Sequence, residues 1–230
     1  MIRLLIEILP YAIGIAISPV PIITVILSLF SVKAKWNGPA FILGWALGIL
    51  VVCIPILVFA NRPALDVNAV PSKWVSVIRV LLGLFLFIVA TRRWVRRPKD
   101  PEKAKMPKWL MMIEVISPVK VLLVGFFFAV VTNPKNFALT VAATLPIANS
   151  MLSQTGKAIM VSAFILISCV GVGIPVVYYL FAGESARKLL NIWRTWLVAN
   201  NSAVMATLFL VFGAVLLSEG LQGLLLQPTT

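Results

Sequence analysis

The chain has 230 residues, of which 61% are hydrophobic and only 12% are charged, and its mean hydropathy is +1.04. This composition excludes a soluble domain with an ordinary polar surface, and it leaves room for about six spanning helices of roughly 20 residues each. The net charge of +13 would suggest nucleic acid in a soluble protein, but the basic residues lie between apolar runs, so lipid phosphate is the expected partner.

Apolar runs predict an all-α, polytopic membrane protein with six transmembrane helices. The first run is too long for the apolar core of a signal peptide and is expected to remain as helix one. Residues 1–91 are predicted to form a first three-helix unit, residues 92–118 a basic linker, and residues 119–230 a second three-helix unit. The six runs lie near residues 8–30, 38–60, 75–91, 119–146, 158–182 and 203–226.

Basic residues set the expected orientation in an inner (plasma) membrane. The linker 92–118 is rich in arginine and lysine, and the positive-inside rule places it in the cytoplasm with Lys33 and Lys35, leaving both termini outside. Residues 107–117 and 186–198 combine tryptophan, leucine and isoleucine with basic residues. That pattern is typical of helices lying on an anionic leaflet, or of helix extensions with aromatic anchors.

The two units contain similar short motifs. Ser18-Pro19-Val20-Pro21 in helix one is similar to Asn133-Pro134-Lys135-Asn136 in helix four, and Val52-Cys53-Ile54-Pro55 is similar to Val172-Gly173-Ile174-Pro175. Because each unit has three helices, the second must enter the membrane from the opposite side. The similarity therefore predicts two inverted three-helix repeats.

Prolines near the middle of helices one and four predict a break in each helix. Pro19 and Pro134 each remove a backbone donor and displace a carbonyl where lipid cannot satisfy the freed groups. Such breaks are tolerated against protein or a wet cavity, so a polar site is expected between the two helices. Pro55 and Pro175 are expected only to shape packing.

Lys135 is the one ionisable residue predicted deep within a span, with no acid at comparable depth. An anionic substrate group, carbonyls freed by Pro134 or loss of its proton would relieve the cost of its charge. The alternative is a lysine that snorkels or caps a broken helix. Arg79, at the start of helix three, is unexplained. The predicted substrate-binding residues are Lys135, Asn133, Asn136 and Pro134 in helix four, and Ser18, Pro19, Pro21 and Thr24 in helix one.

Several kinds of chemistry lack their residues in this sequence. There is no histidine, no phosphate-binding loop, and no acidic pair or metal cluster within the spans, so we expect no enzymatic activity, no cofactor and no metal. Any transport must draw on an ion gradient, a substrate gradient or a partner. Cys53 and Cys169 lie inside apolar runs and are expected to be small buried side chains.

These residues together resemble a known family. The stretches that carry the resemblance are AISPVP in helix one, FILGWALG, PKW followed by ISPVK, NPKN and WLVANNSAVMA. They are similar to the GAP family of peptidoglycolipid- or sulfolipid-addressing (Sap-like) proteins within the lysine-exporter (LysE) superfamily. The resemblance covers nearly the whole chain. It implies two inverted three-helix repeats and a role in sending glycolipids toward the cell envelope alongside larger lipid transporters.

Four functions follow as hypotheses. The first is a transporter, or transport accessory, for an amphipathic, anionic glycolipid; its predicted partners are membrane lipids, that glycolipid, a larger lipid transporter and a second copy of the chain in a homodimer. The second is an exporter of a small solute, either an amino acid or a cation. The lack of acidic residues within the membrane argues against a cation. The third is an electron carrier using Cys53 and Cys169, whose positions do not match the related thiol-relay family. The fourth is a scaffold for a lipid-export machine.

Overall fold

The computed structural model describes residues 1–59, 73–95, 117–130 and 133–225, and all the regular elements within these ranges are helices. Most of the linker 92–118, with residues 107–116 of its predicted interfacial segment, lies outside the described residues. The helices are α1 (Ile2–Ala16), α2 (Pro19–Leu29), α3 (Ala34–Phe59), α4 (Lys73–Val95), α5 (Pro118–Val130), α6 (Pro134–Asn149), α7 (Gln154–Ala182) and α8 (Ala186–Leu225).

Predicted helices one and four are each divided into two. The axes of α1 and α2 meet at 54°, and those of α5 and α6 meet at 69°. Pro19 is the first residue of α2 and Pro134 the first residue of α6, so both helices are broken at the prolines that predicted the breaks. The breaks predicted in these two apolar runs are therefore present in the structure.

The residue before each proline explains why Pro19 and Pro134 start a new helix, whereas Pro55 and Pro175 do not. Ser18 and Asn133 are N-cap residues with extended backbone, and serine or asparagine followed by proline favours a helix start. Pro55 and Pro175 each follow isoleucine, which does not favour the N-cap position, and they lie inside α3 and α7. Their helices continue through them, as a packing role predicts.

The apolar helices are those of a multi-pass membrane protein. Three helical segments of the described residues are long and apolar enough to cross a bilayer, and the number rises to five if each bent pair forms one span. One of these segments, Gln154–Leu225, contains both α7 and α8, which are joined by a 3₁₀ turn at Gly183–Ser185.

Helix α8 has 40 residues and is about 60 Å long, roughly twice the thickness of the hydrocarbon core of a bilayer. Its first third is the segment 186–198, which is therefore a helix extension rather than a separate helix. Leu197 and Val198 of this extension pack against Ile23 and Leu27 of α2.

Close helix crossings hold the bundle together. α4 packs mainly on α8, α3 on α5, and α1 on both α6 and α7. A side-chain carbon on Gly44 of α3 would collide with the backbone carbonyl of Leu122, and one on Gly171 of α7 would collide with that of Ala16. Small residues thus allow backbones to approach, as is common where lipid supplies no hydrophobic drive between helices. This packing brings the break between α1 and α2 beside α6.

Candidate functional site

The side chain of Lys135 is fully buried between the two broken helices. Lys135 is the second residue of α6, and its exposed fraction is 0%. Its amine donates hydrogen bonds to the backbone carbonyl of Gly14 on α1 and to Oγ of Ser18, the latter at 3.0 Å. The lysine predicted to lie in a polar site therefore connects the break in helix one with the break in helix four.

The carbonyl of Gly14 accepts this bond because α1 ends just beyond it. In a continuous helix the amide of Ser18 would bond to Gly14, but here it bonds to the carbonyl of Ile15 at 3.2 Å. The last carbonyls of a helix have no partner within it and form the negative end of its dipole. The amine of Lys135 thus caps the C-terminus of α1, which is one of the roles that the sequence left open.

Ser18 is the centre of the polar network. Its hydroxyl accepts from Lys135 and donates to Oδ1 of Asn136, at 3.0 Å in each case. Two further buried atoms at this site, Nδ2 of Asn136 and Oδ1 of Asn133, have no hydrogen-bond partner within the described part of the chain. Buried polar groups are normally paired, so these two atoms are the places where a polar ligand group or water would bond.

The other predicted site residues have different positions. Pro19, Pro21 and Pro134 lie in the first turns of α2 and α6 and shape the breaks. Thr24 is buried, but its hydroxyl donates to the carbonyl of Val20 at 2.8 Å, one turn earlier in its own helix. The structure therefore brings Lys135, Ser18 and Asn136 into one network, places Asn133 beside it, and shows no hydrogen bond from Thr24 to it.

A second buried lysine has a related position at the other end of α6. Lys157 of α7 donates to the carbonyl of Ala148, at 2.6 Å. In the first half of the chain, Asn37 donates to Ser31 Oγ at 2.8 Å, and Ser31 donates to the carbonyl of Ser28 near the end of α2, at 2.6 Å. In both halves, a polar residue in the first turns of the following helix thus helps to satisfy the end of the half-helix before it.

Arg79, unexplained by the sequence, is at the centre of an ionic cluster. Its guanidinium lies 3.6 Å from Glu7 of α1 and 3.4 Å from Glu219 of α8, and Tyr11 of α1 donates to the same Glu219 carboxylate. The Arg79 side chain is only 7% exposed. The apolar pattern does not predict this cluster, because Glu7 precedes the first apolar run and Glu219 lies near the end of the last one. The available signal was that an arginine within a span needs a partner.

The two cysteines are not linked to each other. Cys53 and Cys169 are free thiols, and Cys53 accepts a hydrogen bond from Thr144 at 3.3 Å. Within residues 1–59, 73–95, 117–130 and 133–225, no group of three or more potential metal-ligating side chains is found.

The comparisons with known proteins identify the family. The family described as Sap, sulfolipid-1-addressing protein, matches residues 8–222, so the chain belongs to this family. No curated protein and no solved structure matches this chain. Membership connects the broken helices and the buried lysine with a family whose name refers to the addressing of a sulfolipid.

Proposed function

We propose that this member of the Sap family is an inner-membrane transporter, or a transport accessory, that moves an amphipathic, anionic glycolipid toward the cell envelope and is not an enzyme. The observation that carries the proposal is the amine of Lys135, fully buried where two spans are interrupted. Half-helix ends near the middle of a membrane are the usual place for substrate groups in transporters built from repeats.

An anionic group suits this site for electrostatic reasons. A charged lysine at the middle of a spanning helix costs about 2.5–3.5 kcal/mol on insertion scales, and the partners of Lys135 described here are neutral oxygens. An ammonium group has three donors, and two are used by Gly14 and Ser18. A sulfate, phosphate or carboxylate on the substrate would supply the missing negative charge, and Asn136 Nδ2 is a further donor for it.

The proposed architecture has six spans in two inverted three-helix repeats. It counts α7 and α8 as separate spans and each bent pair as one. Support comes from two pairs of residues that are each 120 positions apart. Ser28 and Ala148 lie near the ends of α2 and α6, and Asn37 and Lys157 lie in the first turns of the helices that follow. Across the two proline motifs the offset is 115 positions, so Lys135 corresponds to Val20. Only one of the proposed repeats therefore has the lysine.

The orientation and the partners belong to the same proposal. Basic residues lie at the connection between α2 and α3 and at the connection between α7 and α8. They are Lys33, Lys35, Arg187, Lys188 and Arg194, and the positive-inside rule assigns them to the cytoplasm. Energy would come from an ion or substrate gradient, or from a larger lipid transporter with which the protein works. A homodimer and membership of the lysine-exporter superfamily are further parts of the proposal.

Export of a small solute is the second candidate. It is favoured by the enclosure of Lys135, whose exposed fraction of 0% leaves no room for a large headgroup in the conformation described. The lipid proposal accordingly requires the two repeats to move apart around the site during transport.

The test compares two buried, carbonyl-bound lysines. In a strain that lacks the native chain, Lys135→Met is expected to abolish the surface glycolipid, measured by mass spectrometry of surface-extracted lipids, while Lys157→Met at equal membrane abundance retains it. Pull-down then shows whether the Lys135→Met variant still binds the larger transporter. Binding without the surface glycolipid would indicate that the lysine acts in transport and not in assembling the complex. A normal surface glycolipid with Lys135→Met would contradict the proposal, and a change confined to amino-acid efflux would favour the second candidate.

A further inference from the structure

An apolar groove runs along the surface of α7 where it meets α3. Its volume is about 580 Å³, and it is lined by Ile42 of α3 and by residues of α7 between Leu166 and Phe181. Those α7 residues span about 22 Å along the helix axis, which is longer than the roughly 15 Å thickness of the hydrocarbon in one leaflet. Gly173 lies at its centre, where an added side-chain carbon would meet no atom within 4 Å. The groove therefore has the length and the lining for an acyl chain.

Two arginines lie on α8 after the turn that follows the last groove residue, Phe181. Arg187 and Arg194 of α8 lie over the ring of Phe30, at 5.9 and 5.5 Å from its centre. Arg187 also pairs with Glu184 at 2.6 Å, and Lys188 is exposed beside it. This arginine pair, with Lys188, has a local excess of positive charge at the surface of the bundle.

An aromatic contact joins the groove to the arginine pair. Tyr178 lines the groove and stacks on Trp193, with ring centres 6.5 Å apart and planes 28° from parallel. Trp193 immediately precedes Arg194, and the groove residue Phe181 is followed by the 3₁₀ turn that leads to Arg187. The stack therefore connects the apolar lining of the groove to the part of α8 that contains the two arginines.

We infer that an acidic phospholipid of the adjacent leaflet occupies this surface, with an acyl chain in the groove and its phosphate at Arg187 and Arg194. A zwitterionic lipid would fill the groove but would bring no net charge to the guanidinium groups, and a free phosphate ion would leave the groove empty. The inference is independent of transport, because the residues involved make no described hydrogen bond to Lys135, Ser18 or Asn136. The bound lipid would stabilise the corner between α7 and α8.

Photo-crosslinking of the full-length protein in vesicles tests this inference. The vesicles contain phosphatidylcholine and phosphatidylglycerol, and one of the two has a diazirine on its acyl chain. The phosphatidylglycerol probe is expected to label peptides from residues 166–181 on the order of tenfold more strongly than the phosphatidylcholine probe, since each basic residue near an anionic headgroup contributes to its attraction.

Two sets of variants test the acyl-chain contact and the headgroup contact separately. Gly173→Phe is expected to fill the groove and remove most labelling, whereas Leu180→Phe, an exposed position of α7 outside the groove, leaves it unchanged. Arg187→Gln with Arg194→Gln is expected to equalise the two probes, whereas Arg92→Gln on α4 does not.

Three results would overturn the inference. They are equal labelling by both probes in the wild type, full labelling after Gly173→Phe, or a cross-link from the groove to residues 107–117 of the chain itself in place of lipid. Because the assay measures only binding, failure of the transport proposal leaves its result unaffected.

Discussion

The hydroxyl of Ser18 lies 3.0 Å from the amine of Lys135, although the two residues are 117 positions apart in the chain. The same hydroxyl donates to Asn136, so Ser18→Ala removes the described partner of the Asn136 side-chain oxygen and one of the two described bonds of the Lys135 amine, which keeps its bond to Gly14. We expect the free energy of unfolding to fall by about 1–3 kcal/mol, the range for a buried polar group that loses its bond. Thermal unfolding of the purified protein in detergent measures this change.

A serine inside α2 provides the control for this prediction. Ser28 is also fully buried, but its hydroxyl donates only to the carbonyl of Val25 in its own helix. Ser28→Ala is expected to have little effect on unfolding and on the surface glycolipid. Equal losses from the two variants would show that Ser18 matters only as a buried serine and not as the centre of the network.

The location of this network was predictable from the sequence because helix-start signals are local. Ser18 and Asn133 are good N-cap residues, and each is followed by proline at the first helical position. These two breaks, and the burial of Lys135 between them, follow from short motifs. The acceptor of its amine could not be predicted, because the sequence does not specify which freed carbonyl faces the lysine.

The ionic cluster around Arg79 was beyond prediction for a different reason. Its partners lie 72 positions before it and 140 positions after it, near the ends of apolar runs where acidic residues are usually exposed. Only the packing of α4 on α8 and the position of α1 bring them together. Helix contacts of this kind are tertiary information, which apolar periodicity does not contain.

Two glycines of α7, two residues apart, are expected to respond differently to substitution. A side-chain carbon at Gly171 would collide with the backbone of Ala16, which cannot move aside without displacing α1, whereas Gly173 faces open space. Gly171→Ala is expected to reduce stability by about 1–3 kcal/mol, as overpacking does. Gly173→Ala is expected to be neutral or slightly stabilising because alanine favours helix. Unfolding in detergent measures both, and similar values would contradict the described crossing of α1 and α7.

Removal of the central cation is expected to destabilise the bundle at the Arg79 cluster. Arg79→Met leaves two carboxylates facing each other, but Glu7 and Glu219 are 43% and 31% exposed, so we expect a loss of about 1–3 kcal/mol rather than the larger cost of a fully buried pair. Arg187→Met, which breaks the exposed pair with Glu184, is expected to cost no more than about 1 kcal/mol.

A triple variant tests whether charge causes that loss. Arg79→Met combined with Glu7→Gln and Glu219→Gln removes the cation and both anions, and it is expected to recover part of the stability. No recovery would indicate that the packing of the Arg79 side chain, and not its charge, stabilises the contact between α4 and α8.

The proposed inverted orientation of the two units can be tested at two exposed positions. Val32, between α2 and α3, and Met151, between α6 and α7, lie in the corresponding connections of the two units and are both exposed. In a background with Cys53→Ser and Cys169→Ser, an impermeant maleimide added to intact cells is expected to label Met151→Cys, and to label Val32→Cys only after permeabilisation. Labelling of both positions from the same side would exclude inverted repeats.

The cap on α1 has an electrical consequence for any movement of the two units. Lys135 neutralises the negative end of α1, whereas its counterpart in helix one is Val20, which has no charge to offer the corresponding end of α5. A rocking motion that separated α6 from α1 would leave that helix end without the lysine, and the other proposed repeat has no charged residue at the matching position to offset the loss. Each such dipole contact is worth about 0.3–1 kcal/mol, and more where it is partly buried. The conformations before and after this movement would thus differ in free energy even without bound substrate. The conformation closed around Lys135 would be the more stable one.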